Sequence, residues 1–297
     1  MAALWLTYYL KPPLTEVERL EAHARAHNEK QSFRLPRSRK IACEQLMVQT
    51  KTGSYSCLRM KRRGHKPGRA VLFICGGGWV YDFCRHQISL AKQLLQHVDC
   101  EIYYPFYPPA TKQPIREACS MIFECYRSML ESYSHERIAV LGLSAGGTAA
   151  MNLISWNNHY EENLPMPALT VAISPGHIPA DPNERELLEA FRGRDPFVPV
   201  EMVEAFGCII REGRDLEDWM FHSAHGDFRN AGDIRLYYGE LESLAYAAPI
   251  YRDSLEKAGA TYRIHMEPGM PHCYGAVRIN KASRQTYDEI AALIAAL

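Results

Sequence analysis

The chain has 297 residues, enough for one large α/β domain or for such a domain with an inserted cap. Lys plus Arg and Asp plus Glu each number 34, so formal net charge is zero and no electrostatic case exists for nucleic acid or an anionic membrane as partner. With 47% apolar residues and no low-complexity tract, the composition also excludes extended disorder.

The first ten residues, Met1-Ala-Ala-Leu-Trp-Leu-Thr-Tyr-Tyr-Leu, are apolar but lack a basic n-region and an Ala-x-Ala site, which argues against a signal peptide. No apolar run reaches transmembrane length. The nine cysteines contain no Cys-x-x-Cys pair, so neither a zinc ribbon nor a thioredoxin-type site is indicated. Free thiols in a chain of this size fit a reducing compartment, and the expected location is the cytoplasm.

Residues 1–40 read as a helical arm, with Thr15 and Glu18 as a capping box after Pro12-Pro13 and Val17, Leu20 and Ala24 as a thin apolar stripe. This arm is either a surface helix packed on the body or part of a lid. Two strands follow, Ala42–Thr50 and Tyr55–Lys61, joined by the turn Lys51-Thr-Gly-Ser54. The run Ala70–Cys75 is a buried strand that breaks at once into Gly76-Gly77-Gly78-Trp79. Helical spacing returns at Ile88, Ala91, Leu94 and Leu95. A strand at Glu101–Tyr104, a Pro-rich loop over 105–114 and a helix from about 115 to 132 come next.

Ile138–Leu141 is again a buried strand. It runs into Gly142-Leu143-Ser144-Ala145-Gly146 and then into an apolar helix beginning near Thr148. Strand, tight Gly-x-Ser-x-Gly turn and helix are the context of a nucleophile elbow, in which a serine on a sharp turn is pushed out of the sheet. The same turn leaves the Ala145 N–H at the first turn of a helix, where it can meet a developing oxyanion. Leu169–Ser174 is a further strand. Between 181 and 226 the strand signal lapses and two or more helices are expected, around Leu187, Leu188 and Phe191 and around Met202, Val203 and Phe206. A strand at Ile234–Tyr238, a helix ending at Gly259, a strand at Thr261–Glu267 and a last helix from Ser283 to Leu297 complete the chain.

This alternation predicts an α/β fold with a mostly parallel central sheet flanked by helices. The expected organisation is an N-terminal arm (1–40) belonging to the cap, a core over 41–180 and 227–297, and an inserted helical cap over 181–226.

A serine nucleophile requires a base, an orienting acid and oxyanion donors, and with a nucleophile elbow of this kind the expected chain order is serine, acid, histidine. His272, in the Gly/Pro loop after the last strand, is where the base belongs; its nearest rival, His265, lies inside that strand. Glu240 and Glu242 both follow the strand Ile234–Tyr238, and the residues alone leave the acid open between them. The bare backbone of Gly76–Gly78 suits an oxyanion loop, since no phosphate-binding glycine pattern is present.

The order Gly-Gly-Gly-Trp, Gly-x-Ser-Ala-Gly-Gly, Gly-Glu-Leu-x-x-Leu and Pro-Gly-x-x-His-x-aromatic, spread over about residues 70–297, resembles the hormone-sensitive-lipase-like branch of the α/β-hydrolases (the fold-3 family). The resemblance implies a carboxylesterase-type serine hydrolase with a helical cap, no metal and no cofactor. It assigns Ser144 as nucleophile, His272 as base, Glu242 where the family usually has Asp, and Gly77, Gly78 and Ala145 as oxyanion donors. Trp79, Tyr81, Tyr107 and Phe206 are candidate pocket residues. The implied partner is a small ester of a short or medium acyl chain, with no nucleic acid and no membrane insertion, and a homodimer is left open. An amidase or formamidase with the same triad, and a non-catalytic small-molecule-binding relative, are the competing readings.

Three positions depart from the family pattern. Cys75 replaces the histidine of His-Gly-Gly-Gly, Leu143 replaces the acidic residue before the serine, and Tyr104-Pro-Phe-Tyr-Pro108-Pro109 lacks the usual glutamate.

Overall fold

The computed structural model describes residues 14–83, 85–211 and 216–297. The apolar first residues and Pro12-Pro13 lie outside the described residues, as does Cys84.

Eight strands form one sheet in the order β1-β2-β4-β3-β5-β6-β7-β8. β1 (Ile41–Gln49) and β2 (Ser54–Arg62) make an antiparallel hairpin, and β2 pairs antiparallel with β4 (Glu101–Pro105). From there β3 (Ala70–Ile74), β5 (Ile138–Leu143), β6 (Leu169–Ile173), β7 (Asp233–Gly239) and β8 (Tyr262–Glu267) run parallel. Every residue of β3, β4, β5 and β6 is buried, which accounts for their reading as unbroken apolar runs rather than alternating ones. In β1 apolar and polar residues are mixed, and most of the strand is half-buried or exposed at the sheet edge.

Helices α1 (Val17–Glu29), α2 (Arg85–His97), α3 (Ile115–Leu130) and α4 (Ala145–His159) precede three helices between β6 and β7: α5 (Pro182–Glu189), α6 (Val200–Arg211) and α7 (Asp218–Phe221). α8 (Ala248–Lys257) and α9 (Lys281–Ala295) complete the set. Leu90 and Leu94 of α2 and Tyr287 and Ile290 of α9 meet Phe73, Leu141 and Ile173 on one face of the sheet. α4 covers the other face. A Cβ on Gly146 would lie 2.2 Å from the Ile74 carbonyl oxygen, so only glycine lets this helix start so close to the sheet.

The arm differs from its expectation in two respects. The helix spans Val17–Glu29, and Lys30–Lys40 carries no regular helix. Glu16, not Thr15, is the N-cap: its carbonyl accepts the first helical bond, from Leu20 N–H at 2.9 Å, and no side chain caps the helix. The capping-box spelling is present, but the apolar stripe fixes where the helix begins. Leu20 and Ala24 are fully buried against Val80 and, on α6, Ala205 and Ile209. α5 is capped from its own sequence, with Asp181 accepting from Asn183 and Glu184 N–H (2.8 and 3.0 Å) and Pro182 opening the helix.

Among the described residues no helix is long and apolar enough to cross a membrane.

Candidate active site

The carboxyl ends of parallel strands are where an open α/β sheet exposes backbone and loops to a ligand. Ser144 stands at that end of β5, with φ 55° and ψ −125°, a backbone conformation that a non-glycine residue adopts only when its surroundings impose it. Its N–H donates to the Ile173 carbonyl at 2.8 Å, and its carbonyl accepts from Thr148 N–H at 3.0 Å. The turn is therefore anchored to β6 on one side and to α4 on the other.

His272 lies in the loop after β8, is 9% exposed, and has its Nε2 3.0 Å from Ser144 Oγ. Its Nδ1 is 2.6 Å from Oε2 of Glu242. A carboxylate oxygen only accepts, so in the neutral ring Nδ1 carries the proton and Nε2 presents its lone pair to the serine hydroxyl. Glu242 has no exposed surface, and its other oxygen, Oε1, accepts from Ser174 Oγ–H (2.9 Å) and Gly239 N–H (2.7 Å). Glu240 instead turns outward and accepts from Gly269 N–H at 2.9 Å. His265 is half-exposed and pairs with Glu267 at 2.7 Å, away from the serine.

Two contributors carry no local sequence signal. Ser174 accepts from Cys273 N–H at 2.9 Å while donating to Glu242, so one hydroxyl ties the acid loop to the histidine loop. Cys273, in the left-handed region at φ 56°, holds its sulfur 3.5 Å from Nε2 of His272. Burial opposes the His272 imidazolium; the Cys273 sulfur and then the Glu242 carboxylate favour it, and the balance lies well above the ordinary histidine range. From the inserted segment, Asp195 accepts the Ser243 N–H at 2.9 Å and steadies the residue next to Glu242.

The Gly76–Gly78 loop borders the same site. Gly77 and Gly78 have φ of 142° and 59°. Among the described residues no acceptor takes a hydrogen bond from either N–H. Ala145 is the first residue of α4, so its N–H is one of the groups that a helix leaves without an internal partner. Gly78 and Ala145 line the space beside Ser144, and Gly77 is not among its lining residues.

That space is a cleft partly open to solvent, with a cavity volume of about 60 Å³. Ser144, Ala145, Gly78 and Trp79 form one wall, and Val203, Phe206 and Ile210 of α6 with Met220 and Phe221 of α7 form much of the rest. Of the four aromatic candidates Trp79 and Phe206 line this space, and Tyr81 and Tyr107 are not among its lining residues. The Tyr107 hydroxyl turns back to the Cys75 carbonyl at 2.7 Å, and the Tyr81 hydroxyl contacts His23 Nδ1 of α1 at 3.0 Å. In both cases a tertiary hydrogen bond sets the ring direction, which spacing along the chain does not encode. Cys75, buried, has its thiol pushed up to about 11 by desolvation, so it offers a neutral group where the family has an imidazole.

Among the described residues one group could ligate a metal: His177, Glu184 and His225. His177 Nε2 lies 2.9 Å from Glu184 Oε2, and His225 Nε2 lies 2.5 Å from Glu184 Oε1. However, His177 Nδ1 accepts from Ala224 N–H at 3.1 Å, which requires the proton on Nε2, where a metal would have to bind. The trio is therefore a hydrogen-bonded tie between α5 and the segment before β7. Although burial opposes its charge, Glu184 is held down to about 2 by His177, Ala180 N–H and His225.

No curated protein matches the sequence. Solved structures similar to the chain include an esterase/lipase from an uncultured bacterium, 18% identical over 99% of this chain and 96% of that one, with a TM-score of 0.78. A hormone-sensitive lipase from a metagenome library is 21% identical over 99% and 96%, with a TM-score of 0.76. An esterase of the bacterial hormone-sensitive lipase family is 19% identical over 96% and 99%, at 0.75. At such identities the likeness establishes the fold. The family described as alpha/beta hydrolase fold matches residues 71–276, well over half of the sequence, and the chain belongs to that family.

Proposed function

We propose that the chain is a serine hydrolase of carboxylic esters that works through an acyl-enzyme, with Ser144, His272 and Glu242 as its reacting and orienting groups. The reading rests on one observation above the others: a continuous run of short hydrogen bonds from Ser144 Oγ to His272 (3.0 Å) to Glu242 (2.6 Å), opening onto an apolar pocket. In this mechanism Ser144 Oγ bonds to the ester carbonyl carbon as its proton passes to His272 Nε2. The carbonyl oxygen takes the negative charge and is met by the N–H groups of Gly77, Gly78 and Ala145. Collapse breaks the carbon–oxygen bond, and the departing alkoxide takes the proton from His272. Water, deprotonated by the same nitrogen, then releases the acid and regenerates Ser144.

The pocket walls are aliphatic and aromatic, which supports an uncharged acyl group of short to medium length. We read α1 and α5 to α7 together as the cap over this pocket, since α6 supplies Phe206 to its wall and α1 packs on α6. The test is a chain-length series of p-nitrophenyl esters with wild type and Ser144→Ala. Expected are saturable turnover favouring short to medium acyl chains over long ones and its loss in the variant. Turnover that survives Ser144→Ala would remove the mechanism. Turnover of anilides in preference to esters would point to the amidase reading, and saturable binding without turnover to the non-catalytic one.

A further inference from the structure

The support of the glycine loop comes from a helix that the motifs do not include. Asn28, near the end of α1, is 2% exposed and reaches across to the strand-to-helix connection that follows Gly78. Its Nδ2 donates to the Val80 carbonyl at 2.9 Å and to Thr111 Oγ1 at 2.8 Å. Its Oδ1 accepts from Asp82 N–H at 2.7 Å. Both donor hydrogens and the acceptor oxygen are thus in use, and the two backbone groups they hold flank Tyr81.

That backbone is the far limb of the turn that carries the oxyanion donors. The Gly77 carbonyl accepts from Val80 and Tyr81 N–H (3.0 and 2.9 Å), so the peptides of Gly77 and Gly78 are coupled directly to the segment that Asn28 holds. The next wall is fixed too, with the Trp79 carbonyl accepting from Ala110 N–H at 2.6 Å. Gly77 and Gly78, at positive φ, have no side chain of their own to hold them. At the start of the loop the Cys75 and Gly76 carbonyls accept from Tyr107 Oη (2.7 Å) and Gln87 Nε2 (3.3 Å), and Asn28 holds its far end.

We infer that Asn28 is the positioning residue of the oxyanion loop: its carboxamide clamps the Val80 and Asp82 peptides and thereby sets the direction of the Gly77 and Gly78 N–H groups. The inference rests on the proposed role of those donors. Asparagine suits the task because one flat group offers two donors and one acceptor in the orientation the two peptides need. Alanine leaves the Asp82 N–H without its partner and the Val80 carbonyl with only the longer bond from Thr111 Oγ1 (3.4 Å). Aspartate keeps the acceptor and loses both donors.

A purely structural role, holding α1 onto the body, makes a different forecast. Leu20→Ala is the control, because it weakens the apolar packing of α1 on Val80 and α6 and removes none of the hydrogen bonds that hold the loop backbone. Wild type, Asn28→Ala, Asn28→Asp and Leu20→Ala are compared for kcat and KM on p-nitrophenyl butyrate, for the rate of fluorophosphonate labelling, and for melting temperature. A displaced donor acts on the transition state, so both Asn28 variants should lose roughly 10- to 100-fold in kcat with KM within about threefold. Labelling should slow in parallel. Leu20→Ala should melt at least as far below wild type and keep kcat within about threefold. The inference is overturned if the Asn28 variants lose no more kcat than Leu20→Ala, or if only KM changes; Asn28→Asp, the same shape as the native residue, decides the matter should the alanine variant fail to fold. Wild type without Ser144-dependent turnover would instead bring down the reading of the site itself, and the inference with it.

Discussion

Glu242 and Glu240 are two residues apart in one loop, yet only one of them faces the histidine. Glu242 is fully buried with its oxygens taken by His272, Ser174 and Gly239, whereas Glu240 lies exposed on the loop surface against Gly269. The residues alone left both open, and no alternation rule applies to such a turn; the direction is set by Ser174 and Gly239, which come from β6 and β7. Replacing Glu242 by Gln should lower kcat/KM by about 10⁴, because the amide favours the wrong imidazole tautomer. Glu240→Gln should stay within about threefold of wild type, and steady-state kinetics of the pair decides the assignment.

The same cluster sets the pH dependence. The base must be neutral to take the serine proton, and the folded His272 holds its proton well above the ordinary value of 6.5. Activity should therefore rise with pH through an acid limb lying above 6.5. Cys273→Ser and Glu242→Gln should each move that limb downward, as kcat/KM profiles would record. Stability runs the other way. A raised folded pKa contributes stability that is complete below the unfolded value and is lost as pH rises through the folded one, so activity appears where this contribution fades. A limb below 6.5 in wild type would contradict the account.

At the scale of elements, legibility followed burial. β3, β5 and β6 are buried along their whole length and were readable as apolar runs with boundaries within one or two residues. α1 was legible at its start, one residue from the Glu16 N-cap, and not at its end, since Lys30–Lys40 carries no helix. Tyr81 and Tyr107 show the same limit: aromatic residues near a motif can face the pocket or the body, and here His23 and the Cys75 carbonyl take their hydroxyls. The elbow is the most constrained element. A Cβ on Gly142 would sit 2.0 Å from the Gly146 carbonyl oxygen. Gly142→Ala should destabilise the protein by roughly 3 kcal/mol or more, or prevent folding, because the atom it meets is backbone that cannot move alone. Thermal or urea unfolding of this variant tests the claim, and a change below about 1 kcal/mol would show that α4 can back away from the sheet.

Over the whole molecule, the parallel sheet, the segment without strands between β6 and β7, and the order serine, acid, histidine were all legible, because each follows from local pattern and chain order. What was hidden is how distant segments meet. Asn28 gives no local signal of its contact with the glycine loop, and His177 reaches the pocket from a loop that reads as ordinary turn sequence. The chemistry proposed here uses protein groups alone, so dialysis against EDTA should leave kcat unchanged; a loss restored by a divalent cation would require another mechanism.

The central claim is that Ser144 is an activated nucleophile, and the most direct measurement is intact-mass analysis after treatment with a fluorophosphonate. Wild type should gain one adduct, and Ser144→Ala, folded to the same melting temperature within a few degrees, should gain none. An unlabelled wild type, or an adduct that persists in Ser144→Ala, would contradict the assignment of this serine.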